Sequence, residues 1–252
     1  YRPIALAIRN KTPFHILTGF MPSGHPHLGH LMVMKEVVWH VQQGGNGYIT
    51  IADREAHAVR GISWEKCNEF GKEYLSCLYA LGFEGQTYFQ SRNNRLKDLA
   101  FEAATKVNFS ELTAIYGFGA DTELAHADSV ITQVADILYP QIDREPAPTV
   151  VPVGVDQLPH VELTREIARR FNFLYAEVFP IPEPLLAEVP KLLGIDGRKM
   201  SKSYENAIYM SDRGEDLRKK VGAMFTDPQR QRKSDPGRPE LCNVYTFHGL
   251  YS

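Results

Sequence analysis

The 252-residue chain predicts an α/β fold, a parallel sheet whose strands alternate with crossover helices. Three observations carry that expectation. Short β-prone runs at about residues 14–20, 47–53, 86–90 and 149–154 are separated by longer stretches of helical periodicity. The first and last of these runs break into Gly or Pro and lead into helices, as βα units do. Residues 91–148 interrupt the alternation with helices alone, with Leu96, Leu99 and Ala103 forming one inner face. The chain is therefore read as a Rossmann-like sheet over residues 1–204 with a helical connecting insertion at 91–148, and a C-terminal helical region that starts at 205–252.

The first unit is Phe14-His-Ile-Leu-Thr-Gly-Phe-Met-Pro-Ser-Gly-His-Pro-His-Leu-Gly-His30, a strand, a turn and a helix start. Leu31, Met34, Val38 and Val41 then recur at helical spacing, so His27 and His30 fall on the first turn. Unpaired N–H groups and the helix dipole there favour an anion. Gly29 has no side chain to block a nucleotide. A histidine pair after a turn also serves as a cap or a packing feature, and that alternative stands beside the functional one.

Near the other end lies Gly194-Ile-Asp-Gly-Arg-Lys-Met-Ser-Lys-Ser203, a glycine-flanked basic loop. Lys199 and Lys202 present point charges suited to a leaving polyphosphate. Alone, such a stretch reads equally as a solvated loop. The joint occurrence of the two elements, in this order and with a strand before the first, points to one nucleotide site drawn from both halves of the sequence.

Two middle segments bear on what else binds. Ser129-Val-Ile-Thr-Gln-Val-Ala-Asp-Ile-Leu-Tyr-Pro140 carries Asp136 inside an otherwise apolar helical stretch. Buried there, a carboxylate needs a donor. Either it forms a helix-internal salt bridge or lies on an exposed face, or it accepts a polar hydrogen from an aromatic substrate, for which an indole N–H, a donor only, is well suited. Thr149-Val-Val-Pro-Val-Gly-Val-Asp-Gln157 is a buried strand running into an amphipathic helix whose inner stripe is Val161, Thr164, Ala168 and Phe171. Gly154, Asp156 and Gln157 then stand at the carboxyl end of a strand, where open α/β sheets bind ligands. Asp156 could equally cap the helix that follows.

Bulk properties add exclusions. With 28 basic and 30 acidic side chains the chain has no global basic field. Locally, Arg213 to Arg238 holds eight Lys or Arg against four acids, a stretch open both to a solvated face and to RNA contact. No apolar stretch is long enough to cross a membrane, and no signal peptide is seen. Cys67, Cys77 and Cys242 do not make a disulfide scaffold, which suggests a reducing, cytoplasmic compartment.

His27 to His30 and Lys199 to Ser203 resemble the HIGH and KMSKS signatures of the class I aminoacyl-tRNA synthetases. The Val151-Pro-Val-Gly-Val-Asp-Gln157 strand end, His160-Val-Glu-Leu-Thr-Arg-Glu-Ile-Ala-Arg-Arg-Phe-Asn172, Phe179-Pro-Ile-Pro-Glu-Pro184, Pro190-Lys-Leu192 and Thr226-Asp-Pro228 resemble the tryptophanyl branch. The resemblance covers nearly the whole chain and is densest from residue 149 onward. It implies ATP-dependent activation of tryptophan and transfer to tRNA(Trp), with Mg2+ sharing the charge of the phosphates. It also implies a homodimer built through residues 91–148, no membrane, and a C-terminal anticodon-reading region of which 205–252 holds a truncated beginning.

By position, His27, His30, Lys199 and Lys202 would be catalytic. ATP would touch Met21, Pro22, Ser23, Gly29, His30, Gly154, Val155, Asp156, Val189, Lys199, Met200, Ser201, Lys202 and Ser203. Tryptophan would meet Asp136, Gln157, Gln133 and Ser129. Met21, Glu55, Ser129 and Gln133 depart from the bacterial pattern, and a Gln three residues before the Asp is a tyrosyl-like trait. The alternatives are therefore the tyrosyl enzyme and a synthetase-like protein that binds tRNA or nucleotide without catalysis. Cys242, in Asp235-Pro-Gly-Arg-Pro-Glu-Leu-Cys242, resembles one ligand of the 4Fe-4S cluster of some bacterial members, whose other three ligands would lie beyond Ser252.

Overall fold

Among the described residues five strands lie parallel in one sheet, in the order β3-β2-β1-β4-β5. In this computed structural model residues 1–186, 192–201, 204–232 and 234–251 are described. Val189, Lys202 and Ser203, three of the expected ATP contacts, lie outside the described residues.

The helix α1 (Arg2–Asn10) precedes β1 (His15–Phe20), which leads to α2 (Leu28–Gln42) and β2 (Asn46–Ile51). Two helices, α3 (Asp53–Arg60) and α4 (Trp64–Ala80), cross over to β3 (Gly85–Phe89). The insertion then supplies α5 (Asn94–Ala104), α6 (Phe109–Tyr116), α7 (Leu124–Leu138) and the single turn α8 (Pro140–Asp143) before β4 (Thr149–Val153). Next come α9 (Leu158–Leu174) and β5 (Glu183–Leu186). The helices α10 (Gly214–Gly222) and α11 (Asn243–Tyr251) belong to the last part of the chain.

The four expected strands are all present, each within a residue or two of its expected ends. Sequence reading missed β5 because Pro184 sits inside it. A proline lacks the ladder N–H and is tolerated at a sheet edge, which is where β5 lies, beside β4 at the end of the strand order. The central strands read apolar on both faces because both are covered: Tyr48, Ile49 and Ile51 of β2 are fully buried. Each such side chain contributes about 1.5–3 kcal/mol relative to exposure.

The chain forms two compact units, Tyr1–Ser23 with Val33–Ala187, and Gly24–Met32 with Glu188–Ser252. The first holds the sheet and the insertion. Its main core joins Leu17 and Val151 of the sheet to Leu96, Leu99 and Ala103 of α5, Val134 and Leu138 of α7, and Val161, Ile167 and Ala168 of α9. Both expected inner stripes are thus found, with Phe171 packed at the core margin. The helix α7 is buried almost all round from Val130 to Leu138, so the polar residues it carries lie inside the protein.

The second unit has its own small core of Leu192, Met200 and Ala207, against which Leu28, Met32, Tyr209, Phe247, Leu250 and Tyr251 pack. The first turn of α2 is therefore counted with sequence that begins more than 150 residues further along the chain. Pairing of His27 with Tyr209 and the bond from the Leu28 N–H to the Ile208 carbonyl at 3.0 Å hold it there. Among the described residues no helix is long and apolar enough to cross a membrane.

Candidate active site

Within the sheet unit, the candidate residues gather at the carboxyl ends of the strands. Ser129, Gln133 and Asp136 recur at spacings of four and three along α7 and so share one face. Asp136 is 2% exposed. Its Oδ1 accepts from the Tyr88 hydroxyl at 2.8 Å and its Oδ2 from the Gln90 amide at 2.7 Å. Neither the helix-internal salt bridge nor the exposed face describes it. Both partners come from the end of β3, some 46 residues earlier, and the sequence singled out neither.

Burial pushes the Asp136 carboxyl up to about 7, against the opposing pull of the Gln90 and Tyr88 donors, and the nearby Glu55 carboxylate raises it further. Burial first, and then the Asp136 carboxylate, drive the Tyr88 hydroxyl well above its ordinary range. Gln90 spends its amide N–H on Asp136, and its Oε1 is buried without a partner among the described residues. Glu55, in the first turn of α3, is raised by burial while Arg60 pulls it down. A carboxylate so placed is suited to a cationic ligand group.

Gln133 donates to Gln157 Oε1 at 3.1 Å, joining α7 to the end of β4. Ser129 instead bonds back to the Ala125 carbonyl at 2.8 Å. Gly154, Val155 and Asp156 are exposed after β4. No side-chain bond from Asp156 caps α9; its Oδ2 accepts from the Gln157 amide at 3.3 Å. Met21, Pro22 and Ser23 follow β1 in a tight bend, the Ser23 N–H donating to the Met21 carbonyl at 2.8 Å.

The second unit brings together the two signatures that opened the functional reading. Leu28 of the first packs on the cluster that contains Met200 of the second. Both histidine rings do act as caps: the Gly29 N–H donates to His27 Nδ1 and the His27 N–H to His30 Nδ1, each at 3.1 Å. With Nδ1 of His27 accepting, the ring proton of its neutral imidazole belongs on Nε2, whereas His30 Nδ1 also lies 3.3 Å from the His27 carbonyl, to which only its other tautomer would donate. The ring centroids lie 4.0 Å apart. A Cβ on Gly29 would stand 2.8 Å from His27 Cε1, so the glycine makes room for the ring itself.

Lys199 is exposed on a short hairpin, bridged to Leu193, and its ammonium has no ion pair among the described residues. Arg198 is committed elsewhere, to Asp196 at 2.7 Å and over the Tyr204 ring at 4.7 Å. Hydrogen bonds from Asn206 and from Arg198 hold the Asp196 carboxyl down at about 2. Cys242 is a half-buried free thiol immediately before α11. Among the described residues no three His, Cys, Asp or Glu stand together as a metal site, and Cys242 would be one ligand of a four-thiolate cluster whose other three are expected beyond Ser252.

The family described as tRNA synthetases class I (W and Y) matches residues 9–250. The chain belongs to that family of class I tRNA synthetases. Its relatives point to the tryptophanyl branch. It is 38% identical to a tryptophan–tRNA ligase of Archaeoglobus fulgidus, over 98% of this chain and 75% of that protein. It is 54% identical to tryptophan–tRNA ligase 1 of Halobacterium salinarum over 69% of this chain, and spans only 34% of that relative's length. Among solved structures, the tryptophanyl-tRNA synthetase of Aeropyrum pernix aligns with a TM-score of 0.85 at 33% identity, covering 98% of this chain and 69% of that one.

Proposed function

We propose that the chain activates tryptophan with ATP and passes it to tRNA(Trp). The observation that carries the reading is the buried Asp136 carboxylate, already gripped by Tyr88 and Gln90 and still able to accept another hydrogen bond. An indole N–H supplies such a donor, and the buried Gln90 Oε1 offers a second acceptor beside it. Glu55 is the acid suited to the substrate ammonium, and the Gln133–Gln157 pair to its polar end. The tryptophan–tRNA ligases among its relatives support the choice of amino acid.

In the first step a tryptophan carboxylate oxygen bonds to the α-phosphorus of ATP as the bond to pyrophosphate breaks. In the second, a ribose hydroxyl of the terminal tRNA adenosine takes the acyl group and AMP leaves. Such displacements need positioning and charge stabilisation more than covalent help. His27, with its ring proton on Nε2, and His30 serve the α-phosphate; Lys199 and Lys202 serve the pyrophosphate. Met21, Pro22, Ser23, Gly154, Val155, Asp156, Val189, Met200, Ser201 and Ser203 complete the ATP contacts. Mg2+, when bound, would neutralise phosphate charge and would be held through the phosphates of the nucleotide, as hard divalent ions commonly are.

The exposed Phe101, Phe109 and Leu124 of the insertion support a homodimer through residues 91–148. The basic stretch Arg213–Arg238 supports RNA contact, with 205–252 as the beginning of an anticodon-reading region and 1–204 as the catalytic one. The proposed compartment is the cytoplasm.

Tryptophan-dependent exchange of pyrophosphate into ATP tests the reading, with tyrosine as the competitor. Folded protein that exchanges with neither amino acid sinks it, and exchange driven by tyrosine alone replaces it with the tyrosyl reading.

A further inference from the structure

Asn206 lies just past the basic loop and is only 2% exposed. Its side chain touches both arms of the hairpin that carries Lys199. The amide nitrogen donates to Asp196 Oδ1 at 2.7 Å and to the Lys199 carbonyl at 3.2 Å, while the amide oxygen accepts from the Ser201 N–H at 2.9 Å. Its own carbonyl accepts from the Ile195 N–H at 2.9 Å. Four bonds from one residue therefore fix positions 195, 196, 199 and 201. Gly194 is shaped to this side chain, since a Cβ there would stand 2.2 Å from Asn206 Cγ. The buried amide of Asn243, at the start of α11, donates to the Gly194 carbonyl at 3.0 Å and holds the same arm from the other side of the residue.

We infer that Asn206 is the positioning residue of the basic loop: it sets the backbone from which Lys199 reaches the phosphates. The inference rests on the proposed function for its catalytic consequence, but the clasp itself is independent of it. Aspartate cannot replace the asparagine. It keeps an acceptor for Ser201 but turns the donor that faces Asp196 and the Lys199 carbonyl into an oxygen. Two anions would then meet at hydrogen-bonding distance.

The test uses Asn206→Ala in the whole chain. Loss of these bonds is expected to raise the KM for ATP and lower kcat in pyrophosphate exchange, about 10–100-fold together in kcat/KM. Tryptophan affinity measured without ATP is expected to stay within twofold. Tryptic cleavage after Arg198 and Lys199 is expected to quicken at least about tenfold, because the exposed loop is released from its clasp. Unchanged cleavage and an unchanged KM for ATP overturn the inference, as does an equal loss of tryptophan and ATP affinity, which marks a general structural role. If the alanine variant does not fold, Asn206→Asp carries the test. Combining it with Asp196→Asn restores one donor opposite one acceptor and is expected to recover most of the loss; a combined variant no better than the single one overturns the inference. Wild-type protein without exchange would sink the proposed function, yet the proteolysis comparison would still decide the clasp.

Discussion

Asp136 and Lys199 are the charged groups on which the proposed chemistry depends most, and the protein treats them in opposite ways. Asp136 is sealed inside a helix buried nearly all round, and its carboxylate is retained against the pull of desolvation by two neutral donors. Lys199 stands exposed on a hairpin tied down through its backbone, and its ammonium has no ion pair among the described residues. Recognising an uncharged N–H needs a dry, preformed acceptor, because water would otherwise compete for the same bond. Holding a polyphosphate needs a charge that can approach and withdraw. On the proposed reading, substrate choice is built into the core at a cost in stability, while phosphate chemistry is placed on the surface at little cost.

The largest expected effect tests the exposed side. Lys199→Ala should lower kcat/KM for pyrophosphate exchange by about 10²–10³-fold, the magnitude typical of losing one group that stabilises transition-state charge. Its unfolding free energy should remain within about 0.5 kcal/mol of wild type. Chemical denaturation beside the exchange assay would check both; a variant that is strongly destabilised breaks the contrast.

The buried side gives the opposite pattern with Asp136→Asn. A carboxyl raised from 3.8 to about 7 means that the folded protein holds the proton more tightly than the unfolded chain. The cost of the ionised group is absent below about pH 4, grows through the interval, and is complete above about pH 7. The asparagine variant should therefore be more stable than wild type by about 2–4 kcal/mol at pH 8, following about 1.4 kcal/mol per pKa unit, with the gain fading toward pH 4. Tryptophan activation should fall in the same variant, and in wild type tryptophan affinity should weaken as pH drops below 7. Urea unfolding across pH 4–8 decides the matter, and a pH-independent difference would refute the desolvation account.

Tyr88→Phe removes one of the two donors. The KM for tryptophan should rise about tenfold, in line with one lost bond to a charged group, while the KM for ATP stays within twofold. Equal changes in both would show that Tyr88 supports the fold and not the acceptor.

What could be read from the sequence follows the distance over which each feature is encoded. The strands, the stripes of α5 and α9, and the two nucleotide signatures are local patterns, visible in periodicity or in a few adjacent residues. Asp136 was legible as an anomaly, an acid in an apolar helix. Its partners were not, because Tyr88 and Gln90 look like ordinary residues at a strand end until β3 is laid beside α7. Asn206 was hidden likewise, its meaning lying in backbone groups of a loop that it follows. The fifth strand was hidden by Pro184, which only an edge position allows.

Gly29 offers the smallest and most discriminating change. The residue is the second of α2, where alanine is the better helix former by about 1 kcal/mol, so propensity alone favours Gly29→Ala. The new Cβ, however, would lie 2.8 Å from His27 Cε1 and 2.9 Å from Nδ1, and the ring, being the end of a flexible side chain, would turn away. That movement weakens the bond by which Nδ1 accepts from residue 29 and so loosens the tautomer that keeps the proton on Nε2. Stability should then change by less than about 1 kcal/mol while exchange falls about 3–10-fold, chiefly in kcat. Steady-state exchange and thermal unfolding on the same preparation would separate the two. Unaltered exchange would mean that the His27 ring is only a cap, and the surface side of the comparison would rest on the lysines alone.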